Sequence, residues 1–126
     1  MAPEIVFADL ALARRLERTE GAACVGFAKA RRALVPDCGA EWMEHDGVVA
    51  VFDGVESPIT QTFGLGMESP VTAELLDTLE EYFTARGAAV MHEVSPLAGV
   101  EALDALCRRG YRPIEFSSVL VRPAVS

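Results

Sequence analysis

The stretch GLGMESPVT, residues 64–72, lies between a run patterned as a strand and a run patterned as a helix. A glycine-bearing turn from strand to helix is where α/β proteins commonly hold phosphate, because bare backbone N–H groups point at the ligand. Further along, His92 and Glu93 fall late in a strand-like run, and Tyr111 opens another. An imidazole or carboxylate there could serve as a general base, so Glu93, His92 and Tyr111 are the candidate catalytic residues. The simpler reading makes His92 and Glu93 a polar pair alternating across a strand. It makes Tyr111 a packed ring whose hydroxyl meets a hydrogen-bond partner.

Other residue types carry less. Gln61 is polar on a face shared with Ile59, Phe63 and Leu65, and lines a cleft or meets backbone. Trp42 reads as core or as an interface anchor, and Ser95 before Pro96 as a turn residue. Asp53, Glu56, Glu80 and Glu81 read as solvated surface. No Ser/His/Asp set, Cys/His pair or metal-type spacing is present, so no metal is expected. Cys24, Cys38 and Cys107 are three, far apart, and point to a reducing, cytoplasmic setting. The formal charge is −8 and Lys29 is the sole lysine. Arg31-Arg32 and Arg108-Arg109 each flank a helix end, where cations are favoured anyway. No nucleic-acid role is expected. No apolar run is long enough for a membrane span.

The elements that must position these residues follow from periodicity. Residues 9–34 read as helix, with Gly21 and Gly26 as possible breaks into two. Asp46-Gly47 between AEWMEH and VVAVFDG is a strong hairpin signal. ITQTFGLG alternates as a strand. SPVTAELLDTLEEYFTARG is the clearest helix, expected over about residues 70–86, with Ser69 as its cap, Pro70 in its first turn and Gly87 as its stop. AAVMHEV reads as a strand. GVEALDALCRRG reads as a short helix with Val100, Leu103 and Cys107 inward. YRPIEFSSVLVRP reads as a closing strand with Ile114, Phe116 and Leu120 on one face. The strand–helix–strand core over 59–95 implies a right-handed parallel crossover. The length of 126 residues fits one domain.

This order, and the run TFGLG…ELLDTLEEYFTARG…HEVSP…ALDALCRRGYRPIEF, resembles the GNAT acyltransferase (N-acetyltransferase) superfamily, whose members bind acetyl-CoA and acylate amines. The resemblance covers nearly the whole chain. It implies a single GNAT-like α/β domain over residues 1–126. Its sheet would be mixed and mostly antiparallel, with a central parallel strand pair flanked by helices.

The sequence departs from the family in three places. The phosphate motif, Gln/Arg-x-x-Gly-x-Gly/Ala, falls on Met67, Pro70 and Thr72, and none matches. Pro70 has no N–H to give, and Glu68 adds a negative charge beside the turn. One missing charge-assisted hydrogen bond costs about 1.5–3 kcal/mol, or roughly 10- to 150-fold in affinity. The family's leaving-group tyrosine falls on Leu106, which donates no proton. The family's seventh strand is missing, or the last run is split between two sheets.

Some family members carry two such folds in one polypeptide, one stripped of its cofactor motif, and this chain resembles the stripped half. No cofactor is therefore expected, and the role is that of a structural or substrate-shaping half of an N-acetyltransferase. One alternative is an active acyl-CoA-dependent N-acyltransferase, in which the resemblance implies that the backbone of Phe63, Gly64 and Leu65 would hold the pantetheine arm of acetyl-CoA. The other is a small-molecule binding module. The expected partner is a second copy in a homodimer, or a second GNAT-like domain.

Overall fold

Asp46 and Gly47 both take the left-handed backbone conformation, with φ of 50° and 79°. This is the geometry of a two-residue turn whose twist matches a hairpin. The computed structural model describes residues 6–124. The turn joins β1 (Glu41–His45) to β2 (Val48–Phe52), which pair antiparallel from Glu41 opposite Phe52 to His45 opposite Val48. β3 (Gln61–Phe63) pairs antiparallel with the other edge of β2. The sheet order is β1-β2-β3.

Parallel pairing beyond β3 is confined to one bridge. The Thr62 N–H donates to the Met91 carbonyl at 3.0 Å, and the Glu93 N–H donates to the Thr62 carbonyl at 3.1 Å. Residues 88–94, expected as a full strand, thus meet the sheet at His92 alone.

β2 is apolar on both faces, and its side chains serve two cores. Val48 and Ala50 pack with Leu65, Leu75, Leu76, Leu79, Phe83 and Leu106. Val51 packs on the other side with Ala28, Ala40 and Phe63. The result is an α/β fold with α1 (Leu10–Leu34) on one face and α2 (Ala73–Thr84) with α3 (Val100–Arg108) on the other.

α1 runs unbroken through both glycines. A Cβ at Gly21 would sit 3.3 Å from the Phe63 Cβ and 3.5 Å from the Val49 Cβ. Gly21 therefore lets the helix lie close on β2 and β3, and that packing offsets the roughly 1 kcal/mol that a mid-helix glycine costs. Asp9 caps the start by accepting from the Leu12 N–H at 2.8 Å.

α2 begins later than expected. Thr72, not Ser69, is its cap, accepting from the Leu75 N–H at 3.1 Å. The Ser69 hydroxyl instead donates to the Asp46 carbonyl, which holds the turn against the hairpin. Gly87, at φ 70°, ends the helix as expected.

α3 is rotated from the expected orientation. Ala102 and Leu106 are its buried residues, while Val100 is 81% exposed and Leu103 and Cys107 also face outward. Arg109 sets this rotation. Its guanidinium bonds Asp77 and Glu80, each at 2.8 Å, and the Ala73 carbonyl at 3.0 Å. That clamp to α2 turns the Ala102–Leu106 stripe inward.

The closing strand is not formed. Among the described residues, 111–124 carry no strand, and Ile114, Phe116, Val119, Leu120 and Val121 are all exposed. Their alternating pattern has no strand beside it to pair with.

Candidate functional site

The turn at 64–72 is held from beneath by α1. Gly64, at φ 84°, donates its N–H to the Glu17 Oε2 at 2.8 Å. The Arg14 Nε donates to the Met67 carbonyl at 2.7 Å, and Arg18 pairs with Glu68 at 3.2 Å. Within the turn, the Met67 N–H donates to the Gly64 carbonyl at 3.1 Å. The side chains of Phe63, Leu65 and Met67 are buried. Phe63, Gly64 and Leu65 do stand together, but the Gly64 N–H is already engaged and the flanking side chains belong to the core. Neighbouring segments crowd the turn further. A Cβ at Gly47 would meet the Glu68 Cβ at 2.7 Å, and one at Gly66 would meet the Ala98 Cβ at 2.9 Å.

Glu17 was not singled out from the sequence. It is only 9% exposed and lies on one stripe of α1 with Ala13, Gly21 and Ala28. A glutamate among small residues at i, i+4 and i+8 spacing was the available signal. Burial pushes its carboxyl above the ordinary range, the Gly64 N–H pulls it back, and Glu20 raises it again.

His92 and Glu93 point to opposite faces of the segment beside β3. The His92 Nδ1 lies 2.7 Å from the Thr62 Oγ1, and its ring centre lies 5.0 Å from that of Tyr111. Burial pushes the imidazole down to about 4, with Glu80 pulling the other way, so it is neutral near pH 7. The Tyr111 hydroxyl donates to the Glu80 Oε2 at 2.8 Å. Burial and that carboxylate raise the phenol well above its ordinary value.

Glu93 faces α1. Its carboxyl is pushed up to about 7, first by burial and then by Glu20, Glu17 and Glu115. The structure thus brings His92 and Tyr111 together and sets Glu93 apart from them. A carboxyl near 7 has the proton affinity of a general base. Two surface grooves lie elsewhere, however. One of about 320 Å³ is lined by residues including Glu80, Arg109 and Tyr111. The other, about 620 Å³, runs between α1 and the hairpin with Arg18, Lys29, Glu44 and Glu68 on its rims. Neither is lined by His92 or Glu93.

Two residues expected at the solvated surface have structural duties. Asp53 is buried, pairs with Arg31 at 2.9 Å and accepts from the Ser57 hydroxyl at 2.9 Å. Glu80 holds both Tyr111 and Arg109. Trp42 lies part-buried in the α1-side core, with Lys29 and Arg32 each 5.6 Å from its ring centre. Among the described residues, no group of three His, Cys, Asp or Glu side chains is placed to hold a metal ion. No described helix is long and apolar enough to cross a membrane. No protein-family model, no curated protein and no solved structure matches the chain.

Proposed function

We propose that this chain is a GNAT-like domain without an acetyl-CoA site of its own, serving as a structural or substrate-shaping half beside a competent partner. The observation that carries the reading is the make-up of the 64–72 turn, whose Gly64 N–H is turned onto Glu17 and whose Met67 N–H bonds the Gly64 carbonyl. An acyl-CoA site needs free backbone donors at this turn. Here the Gly64 N–H is taken by Glu17, and Thr72 caps α2 with its own hydroxyl. Glu68 brings a carboxylate and Pro70 brings no N–H at all. The single parallel bridge between Thr62 and His92 is in keeping with the central parallel pair that the GNAT likeness implies. Leu106, at the position of the family's leaving-group acid, is buried packing.

Calorimetric titration with acetyl-CoA tests the reading. Binding weaker than millimolar is the expected result. Micromolar binding would overturn it in favour of an active acyl-CoA N-acyltransferase. Converting the turn to the family motif is not a clean rescue, because Met67 is buried and an arginine there would enter the core.

A further inference from the structure

The two edges of the sheet differ. At one, the segment around His92 has the chain's own tail beside it, with Tyr111 against the imidazole. At the other, β1 has no strand beyond it among the described residues. The hairpin register settles which backbone groups of β1 are left over. His45 and Val48 close the two-residue turn as a hydrogen-bonded pair, so Met43 with Ala50 and Glu41 with Phe52 are hydrogen-bonded pairs too. The N–H and C=O groups of Trp42 and Glu44 therefore point outward. None of the four has a partner outside the hairpin among the described residues. β1 also carries neither proline nor bulge, two of the devices that blunt an edge.

Charges around this edge are unmet as well. Trp42 and Glu44 face α1, and Met43 faces the larger core. Lys29 and Arg32 of α1 each stand 5.6 Å from the Trp42 ring centre. Glu44 is exposed on the same face. None of these three charged side chains is in an ion pair among the described residues. We infer that β1 pairs antiparallel with β1 of a second copy of this chain about a two-fold axis at Met43, joining the two sheets into one. Trp42 then lies opposite Glu44 of the second copy, and Glu41 opposite its His45. Trp42 and Glu44 form the hydrogen-bonded pairs, and four bonds use every outward group of both strands. Residues opposite one another share a face. Each Glu44 carboxylate therefore comes to the ring that Lys29 and Arg32 flank in the other copy. Glu41, already bonded to Arg86, gains an imidazole neighbour.

The same charges select the register. Moving the axis to Glu44 would set that carboxylate against its own copy, and moving it to Trp42 would set Lys29 and Arg32 against theirs. A slip of one residue would put outward groups against inward ones and lose the bonds. An arbitrary peptide would find the same backbone groups but not this reciprocal match of charge, which is the argument for a second copy. The chain's own tail does not compete, because it starts at the opposite edge. A five-residue edge makes a small interface, of the class that buries under about 1,200 Å² and exchanges readily. The dimer therefore belongs to high protein concentration and low salt. This pairing goes beyond the proposed function and stands without it, since none of its residues belongs to the 64–72 turn.

Sedimentation equilibrium on the unaltered chain, at high concentration and low salt, should show a monomer–dimer equilibrium. Glu44→Lys changes an exposed side chain and should weaken the dimer by about tenfold or more. The substitution also lowers the net charge from its value of −8, so a loss of general repulsion would act in the opposite direction. Disulfide capture tests the register. Cys24→Ala, Cys38→Ser and Cys107→Ala supply a cysteine-free parent. Met43→Cys then places one thiol on each side of the axis, with Cα atoms about 4.5 Å apart, which is within disulfide range. His45→Cys is the control. Its two copies stand about 13 Å apart along the strands in this register, yet His45 is the more exposed position and random collision would favour it. Oxidation should give several-fold more disulfide-linked dimer from Met43→Cys. A strict monomer, an equilibrium that Glu44→Lys leaves unchanged, or an equal or greater yield from His45→Cys would overturn the inference. Acetyl-CoA titration decides the proposed function and bears on none of these outcomes.

Discussion

Replacing Glu17 separates a carboxylate that supports the fold from one that merely fills space. Its Oε2 accepts from the Gly64 N–H at 2.8 Å, and Gly64 is buried. In Glu17→Ala that N–H loses a charged acceptor, a change that costs about 1.5–3 kcal/mol. Some of the loss is offset. The carboxyl is itself raised by burial and by Glu20, and it helps to raise Glu93. Removing it relieves that repulsion, so a net loss of about 2 kcal/mol is expected. For a domain of this size that is a fall in Tm of roughly 6–10 °C. Glu17→Gln keeps an oxygen acceptor and drops the charge, and should stay within about 1 kcal/mol of the parent. The assay is thermal and urea unfolding of both variants, with amide exchange at Gly64 as the local readout. Exchange at Gly64 should speed up in Glu17→Ala and change little in Glu17→Gln. If the two variants lose equal stability, the hydrogen bond is not what Glu17 contributes and the reasoning fails.

Leu106→Ala should destabilise by about 2–5 kcal/mol, because Leu106 belongs to the larger core; a loss below 1 kcal/mol in urea unfolding would contradict that placement. Glu93 holds its proton up to about 7 against an ordinary value of 4.5, so the folded state binds more protons than the unfolded state between these values. Stability therefore falls as pH rises through that window. A fully sealed carboxyl would lose about 3 kcal/mol, and solvent screening reduces this to about 1–2 kcal/mol. Glu93→Gln should flatten this slope and raise stability at pH 8; an unchanged slope would refute the assignment. His92 works in the opposite sense. Its pKa falls from 6.5 to about 4, so its contribution is present above 6.5 and is lost as pH falls toward 4. His92→Gln should remove that acid-side loss in the same titration.

The elements set by local chemistry were legible. The Asp46-Gly47 turn, both its strands, and α2 with Leu75, Leu76, Leu79 and Phe83 buried all follow from turn residues and periodicity. What was not legible depended on partners distant in the chain. Gly21 reads as a break until Phe63 is known to lie against it. Ser69 and Thr72 are both acceptable caps, and the Ser69 bond to Asp46 decides between them. The inward face of α3 was misread because two stripes were apolar enough, and the bonds from Arg109 at the end of α3 to α2 select one. At the candidate site, His92 and Tyr111 were expected and do meet, but Glu17 was overlooked. Its importance lies in the N–H of Gly64, 47 residues away. The final strand was misjudged because alternation gives a strand only when another strand lies beside it.

β2 feeds one core with Val48 and Ala50 and the other with Val51, so it has no solvent face to mark its alignment. Sliding it by one residue would exchange valine and alanine between the two cores. Every side chain would remain as apolar as before. Water-aversion cannot tell these two arrangements apart, and only side-chain volume and the two left-handed turn residues can. The Asp46-Gly47 turn therefore acts as the start codon of the hairpin. Lengthening it by one residue would leave a chain that still collapses, with its strands read in the wrong frame.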